Sequence, residues 1–148
     1  VHHFLHYLII VATIMSASAQ GILSHLQEAS AGLLFPSETD APFTCFVWDD
    51  LHDISVPTLL MKTGNKTGTP VEEISLEQLF SGVTRIAEWM SEDERAEALR
   101  FQELQQTLED LLYDVRVFRI GAMDIDVYVV GITESGVCAG VSTQIVET

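Results

Sequence analysis

In the stretch "LLFPSETDAPFTCFVW", Leu33 to Trp48, the carboxylate of Glu38 lies in a turn bounded by Pro36 and Pro42, with Asp40 two residues on. Apolar runs lie on both sides of that turn. Pro restricts the backbone of a turn, so Glu38 is a stationary anion at the edge of an apolar core. A second set of chemical groups follows: Asp49, Asp50, His52 and Asp53 are all metal-donor types. Their spacing fits no known ion-binding loop, and a solvated polar loop is the reading they support. The run "SEDERAE", residues 91–97, is dense in acid. It is explained by helix design, because Glu92 and Asp93 complement the dipole of a first helical turn. Asp124 and Asp126 flank a hairpin and read as solvent-facing.

The chemistry that is absent narrows the function. There is no glycine-rich phosphate loop, no HExxH, no CxxC pair and no GxSxG elbow. His2, His3 and His6 fall in an N-terminal segment of separate character, leaving His25 and His52. No nucleophile has a base at hand and no acid has an evident perturbing partner. An enzyme is therefore not expected, nor a metal or cofactor of the chain's own. Cys45 and Cys138 make no disulfide framework and no metal spacing. Each lies in an apolar, strand-like run and reads as a small buried hydrophobe, with a pairing between them left open.

With 22 acidic residues against 7 basic, the chain carries −15. Residues 1–14 contain no charged side chain, so the whole excess lies in the remainder. Such a surface repels nucleic acid and anionic membranes, and speeds encounter with a basic protein face. Solubility alone is the competing explanation for acidity. The 47% apolar content is that of a globular chain, and the length allows one domain with one sizeable core.

Several elements must hold these groups. Ser18 can cap a helix carrying Ile22, Leu26, Ala29 and Leu33 at helical spacing, with Gly32 near its end. Phe43–Trp48 reads as a strand apolar on both faces, which belongs inside a covered sheet. Asp49 to Val56 reads as loop, Thr58–Thr63 as another strand closed by Gly64-Asn65, and Ser75 as the start of a short helix through Phe80. Ser91 and Glu94 form a capping box heading a long helix, whose inward stripe is Ala98, Phe101, Leu104, Leu108, Leu111 and Leu112. Residues 115–120, 125–131 and 137–146 form an antiparallel meander with turns at Gly121 and Gly136. The sum is an α+β domain with a sheet between helical layers.

Residues 1–19 stand apart from this pattern. Phe4–Ile14 is an apolar run shorter than the roughly 18 residues of a membrane span, followed by Ala17-Ser18-Ala19, which suits a signal peptidase. The alternative preferred here is that Met15 is the start and the preceding residues are translated upstream sequence. The first reading implies an exported protein, the second a cytoplasmic one. Either way residues 1–19 are an extension and 20–148 the domain.

Three stretches together carry a family resemblance: "LQEASAGLLFPSE" (26–38), "DVYVVGITESGVCAGVSTQIVET" (126–148) and Glu88-Trp89 just before the capping box. The chain resembles the cyanobacterial nuclease A inhibitor family from about Gln20 to Thr148, with residues 49–72 matching poorly and residues 1–14 without counterpart. The resemblance implies an α/β/α sandwich that binds a sugar-non-specific DNA/RNA endonuclease one-to-one and blocks its active site, free of cofactor and monomeric when alone. The metal in that complex, a catalytic Mg²⁺, belongs to the nuclease. Carried over by position, Glu38 matches the inhibitory glutamate that pairs with phosphate-holding arginines. Thr148 matches a terminal threonine that reaches the nuclease metal. Glu88 stands where the family has an acidic residue, here one methylene longer than aspartate, and Trp89 matches its tryptophan. By composition alone Glu38 could be an ordinary turn residue and Trp89 a core one. The competing function is an acidic interaction module with some other basic protein.

Overall fold

The computed structural model describes residues 18–148. The Met15 start and the apolar run Phe4–Ile14 lie outside the described residues, whereas Ser18 and Ala19 of the signal-peptidase pattern belong to the first helix. Helix α1 (18–30) is followed by a two-residue strand pair, β1 (Leu34–Phe35) and β2 (Ala41–Pro42), and then by β3 (Thr44–Trp48). Next come α2 (Val56–Lys62), β4 (Val71–Ile74), α3 (Leu76–Thr84) and α4 (Glu92–Leu111). The chain closes with β5 (Tyr113–Ile120), β6 (Asp124–Ile132) and β7 (Cys138–Val146). The main sheet has the order β3-β7-β6-β5-β4, with every neighbouring pair antiparallel. The expected meander of the last third is its centre.

Strand alternation divides the apolar side chains between two faces. Val117, Val127, Val129 and Val141 face one cluster, which α1, α3 and α4 cover through Leu26, Phe80, Phe101, Leu104 and Leu108. Phe118, Ile120, Val130 and Cys138 face the other, covered by α2 through Leu59 and Leu60. The α+β sandwich expected from the sequence is the fold observed. Cys45 faces the first cluster and Cys138 the second, and both thiols are free. Burial pushes both thiols up, so they behave as small hydrophobes.

The helix signals place two elements well. Ser91 and Glu94 bond reciprocally across the first turn of α4, and Ser75 with Gln78 does the same for α3, which runs four residues past the expected Phe80. Three local readings are corrected. Residues 58–63 are helical, not extended: Ser55 caps α2 by accepting from the Thr58 N–H, and Pro57 suits its first turn. Adjacent Leu59 and Leu60 are both buried, which a half-buried strand would not allow. Second, β3 is an edge strand rather than an interior one. Its apolar double face is real, with Cys45 and Val47 on one cluster and Phe46 and Trp48 on the other. Coverage of faces does not report whether a strand has neighbours on both edges. Third, Ser18 is already helical, and α1 ends at residue 30, so the buried Leu33 follows the helix. The carbonyls of Ala29 and Ala31 at that end are held by the Arg100 guanidinium.

Sequence reading missed β4 altogether. It forms the other sheet edge, and Arg116 from β5 holds its Glu73 bidentately at 2.7 and 3.1 Å while a third nitrogen reaches the Ile54 carbonyl. The guanidinium lowers the Glu73 carboxyl below its usual range. β5 itself begins two residues early through a bulge, with Asp114 at φ 51 absorbing the extra residue.

Gly140 in β7 is the tightest point of the sheet. A Cβ there would lie 1.7 Å from the Val129 carbonyl oxygen and 3.2 Å from the Phe46 ring. Gly140→Ala is therefore expected to cost about 2–4 kcal/mol of stability, read as a lowered urea midpoint. An unchanged midpoint would show that the strands separate more easily than this packing implies.

Candidate protein-binding site

Glu38 sits at the tip of the 36–40 turn that joins β1 to β2, and this turn is tied to the end of β7. The Val146 amide donates to Ser37 Oγ at 3.1 Å, and the Glu38 amide donates to the Val146 carbonyl at 3.4 Å. Ser37 Oγ donates in turn to the Thr39 carbonyl, closing the turn on itself. Behind it the buried Thr143 hydroxyl of β7 reaches the Ala41 and Pro42 carbonyls. The turn is thus held by backbone and small hydroxyls, and the Glu38 side chain is left exposed.

The two most distant expected site residues meet here. Thr148 donates to Glu38 twice: its hydroxyl to Oε1 at 2.7 Å and its amide to the same oxygen at 3.2 Å. The hydroxyl also lies 3.0 Å from Oε2. Two donors converging on one carboxylate oxygen restrict the rotamer, while the residue remains exposed to solvent. Beneath this clasp is a shallow cleft of about 510 Å³. Its walls are Phe35, Ile74, Leu79 and Ile145, with Ser37, Arg119 and Glu147 among the polar lining.

Glu88 and Trp89 lie elsewhere, on the connection from α3 to α4. Neither lines that cleft. Arg95 fixes this connection, donating from Nη2 to the Glu88 carbonyl at 2.9 Å and from Nε to the Met90 carbonyl at 3.2 Å. Gln102 holds the Thr84 carbonyl at 2.9 Å, so both ends of the connection are pinned by α4. The connection exposes apolar side chains: Trp89 is 73% accessible and Ile86, three residues earlier, 43%. Arg95 and Ile86 were not singled out from sequence. An arginine one residue past a capping-box glutamate was the only hint of the first. The third set of polar groups, around His52, is a loop as expected, with His52 Nδ1 3.0 Å from the Gly136 carbonyl. Among the described residues no group of three or more metal-donor side chains converges. Nor is any helix among them long and apolar enough to cross a membrane.

A carboxylate clasped by Thr148 and an exposed tryptophan thus stand at two separate places on a strongly acidic α+β domain. The model of the family described as Nuclease A inhibitor-like protein matches residues 20–148, and the chain belongs to that family. No curated protein matches the chain. Membership implies a nuclease-inhibitor role, and so a nuclease as the protein partner.

Because the pinning bonds are to backbone carbonyls, the Trp89 ring itself is not needed for the fold. Trp89→Ala is expected to leave unfolding free energy within about 0.5 kcal/mol of the parent. A loss above about 2 kcal/mol would make Trp89 a core residue instead.

Proposed function

We propose that this protein blocks a sugar-non-specific DNA/RNA endonuclease by inserting the Glu38–Thr148 clasp into its active site. The observation that carries the reading is the convergence of the Thr148 amide and hydroxyl on the Glu38 carboxylate. Glu38 acts as a phosphate mimic, offering its exposed carboxylate to arginines that would otherwise hold substrate phosphate. Thr148 approaches the nuclease's catalytic Mg²⁺, its hydroxyl proton directed to Glu38 and its oxygen lone pairs left for the metal's coordination sphere. Hard oxygen donors of this kind suit Mg²⁺, which commonly keeps exchangeable waters.

A carboxylate that enters a basic cleft loses hydration, and the loss is offset only if its position is already set. The ties of the 36–40 turn to β7 supply that setting before any encounter. Trp89 anchors the complex from the α3–α4 connection in the manner of an interface hot spot, and Glu88 faces a basic group of the partner. The net charge of −15 steers the inhibitor to a cationic groove, raising the on-rate most at low salt. The complex is one-to-one and the inhibitor is not consumed.

Glu38→Gln tests the reading, because the amide oxygen can still accept from Thr148 while the charge is gone. The expected result is a loss of roughly 2–5 kcal/mol in binding to cyanobacterial nuclease A, with an unchanged melting temperature. Inhibition equal to the parent would refute the phosphate-mimic role.

A further inference from the structure

The cleft beneath the clasp contains a cation where a partner with a basic groove would be expected to tolerate none. Arg119 lines it, projecting from β5 between Glu72 and Val127 in register, with its side chain only 19% exposed. It is the one basic residue in that lining. Its Nη2 donates to Glu147 Oε1 at 3.0 Å. Glu147 is the link between the end of β7 and Thr148, and its own amide donates to the Met123 carbonyl at 2.9 Å. Residues 147 and 148 lie past the last rung of the sheet ladder, which pairs Val146 with Asp124. Backbone beyond a ladder frays unless something ties it down.

We propose that Arg119 is a positioning residue of the inhibitory site, acting through Glu147 to hold Thr148 against Glu38. Glu147 has a second part: it cancels the Arg119 charge that the nuclease groove would otherwise meet. The proposal rests on the function given above. The last two residues are then held from three sides, by the 36–40 turn, by the β5–β6 connection at Met123, and by Arg119 from the sheet face. A long side chain rising from the sheet suits this task, since its alkyl stem can lie along the apolar walls while its head reaches the rim. A partly exposed ion pair contributes little to global stability, so its effect is local order at residues 147 and 148.

The electrostatic and positioning accounts predict opposite signs. If only charge matters, Arg119→Gln makes the inhibitor more acidic and tightens its complex with a basic partner. If Arg119 positions Thr148, the same change weakens the complex through a faster off-rate. Three variants are compared: Arg119→Gln, Glu147→Gln and the double variant, which keeps the parental net charge. In the free proteins, ¹⁵N relaxation is expected to show lower order parameters at the Glu147 and Thr148 amides in all three, with unfolding midpoints unchanged. With cyanobacterial nuclease A, Arg119→Gln is expected to raise the off-rate about two- to five-fold and leave the on-rate equal or faster. Glu147→Gln, with Arg119 uncompensated, also slows association. The double variant restores the parental on-rate and keeps the fast off-rate of Arg119→Gln.

Unchanged order parameters at 147 and 148 in Arg119→Gln overturn the positioning role whatever the nuclease does. An off-rate equal to the parent's, or slower, overturns its part in recognition. If the parent protein fails to inhibit nuclease A while the order parameters fall, it is the proposed function that fails and the hold on Thr148 that stands.

Discussion

The 36–40 turn would be an ordinary surface loop were it not bonded to the last rungs of β7. Ser37 Oγ accepts the Val146 amide, the Glu38 amide reaches the Val146 carbonyl, and Thr143 takes the carbonyls behind the turn. β7 lies between β3 and β6 in the sheet and is packed against both core clusters, so the turn inherits the rigidity of the core. This one junction sets the position of Glu38 and brings Thr148 to it from 110 residues away in sequence. Under the proposed function, this preorganisation lowers the entropy cost that a flexible glutamate would meet on binding.

The basic residues show a division of labour. Of the 7 in the sequence, five serve as internal staples. Lys62 holds Asp50, Arg95 the α3–α4 connection, Arg100 the end of α1, Arg116 the β4 edge and Arg119 Glu147. Most carboxylates are left unpaired by this arrangement and face water. The field of the molecule is accordingly negative, while local geometry is set by a few forked donors suited to multiple acceptors. Acidity of this degree raises self-repulsion, and large apolar clusters on both sheet faces offset it.

Much of this architecture was legible in the sequence, for identifiable reasons. The capping box at Ser91 is a local signal with one geometry, Ser75 marks a helix start, and the β5–β7 meander alternates cleanly between short turns. The strand assigned to 58–63 failed because a short segment around Leu59–Met61 fits either period, and the Ser55 cap and Pro57 were the deciding signals. β4 was invisible because "VEEI" is short and half acidic, and it is held at the edge by Arg116 from a distant strand. β3 misled because a strand covered on both faces need not be paired on both edges. At the site, Pro36 and Pro42 marked Glu38 as fixed, and the family resemblance pointed to Thr148. The direct Glu38–Thr148 contact, the Arg95 clamp under Trp89 and the Arg119–Glu147 pair are long-range or side-chain-to-backbone contacts, which spacing does not encode.

The central claim is that Glu38 occupies the phosphate position of a nuclease active site. A double-mutant cycle tests it directly, pairing Glu38→Gln with alanine substitutions of the arginines in the groove of nuclease A and measuring the binding constants of all combinations. The account predicts that at least one arginine couples to Glu38 by about 1.5 kcal/mol or more, the range of close interfacial charge pairs. Additivity within about 0.5 kcal/mol for every arginine tested would contradict it, and would place Glu38 outside the phosphate site.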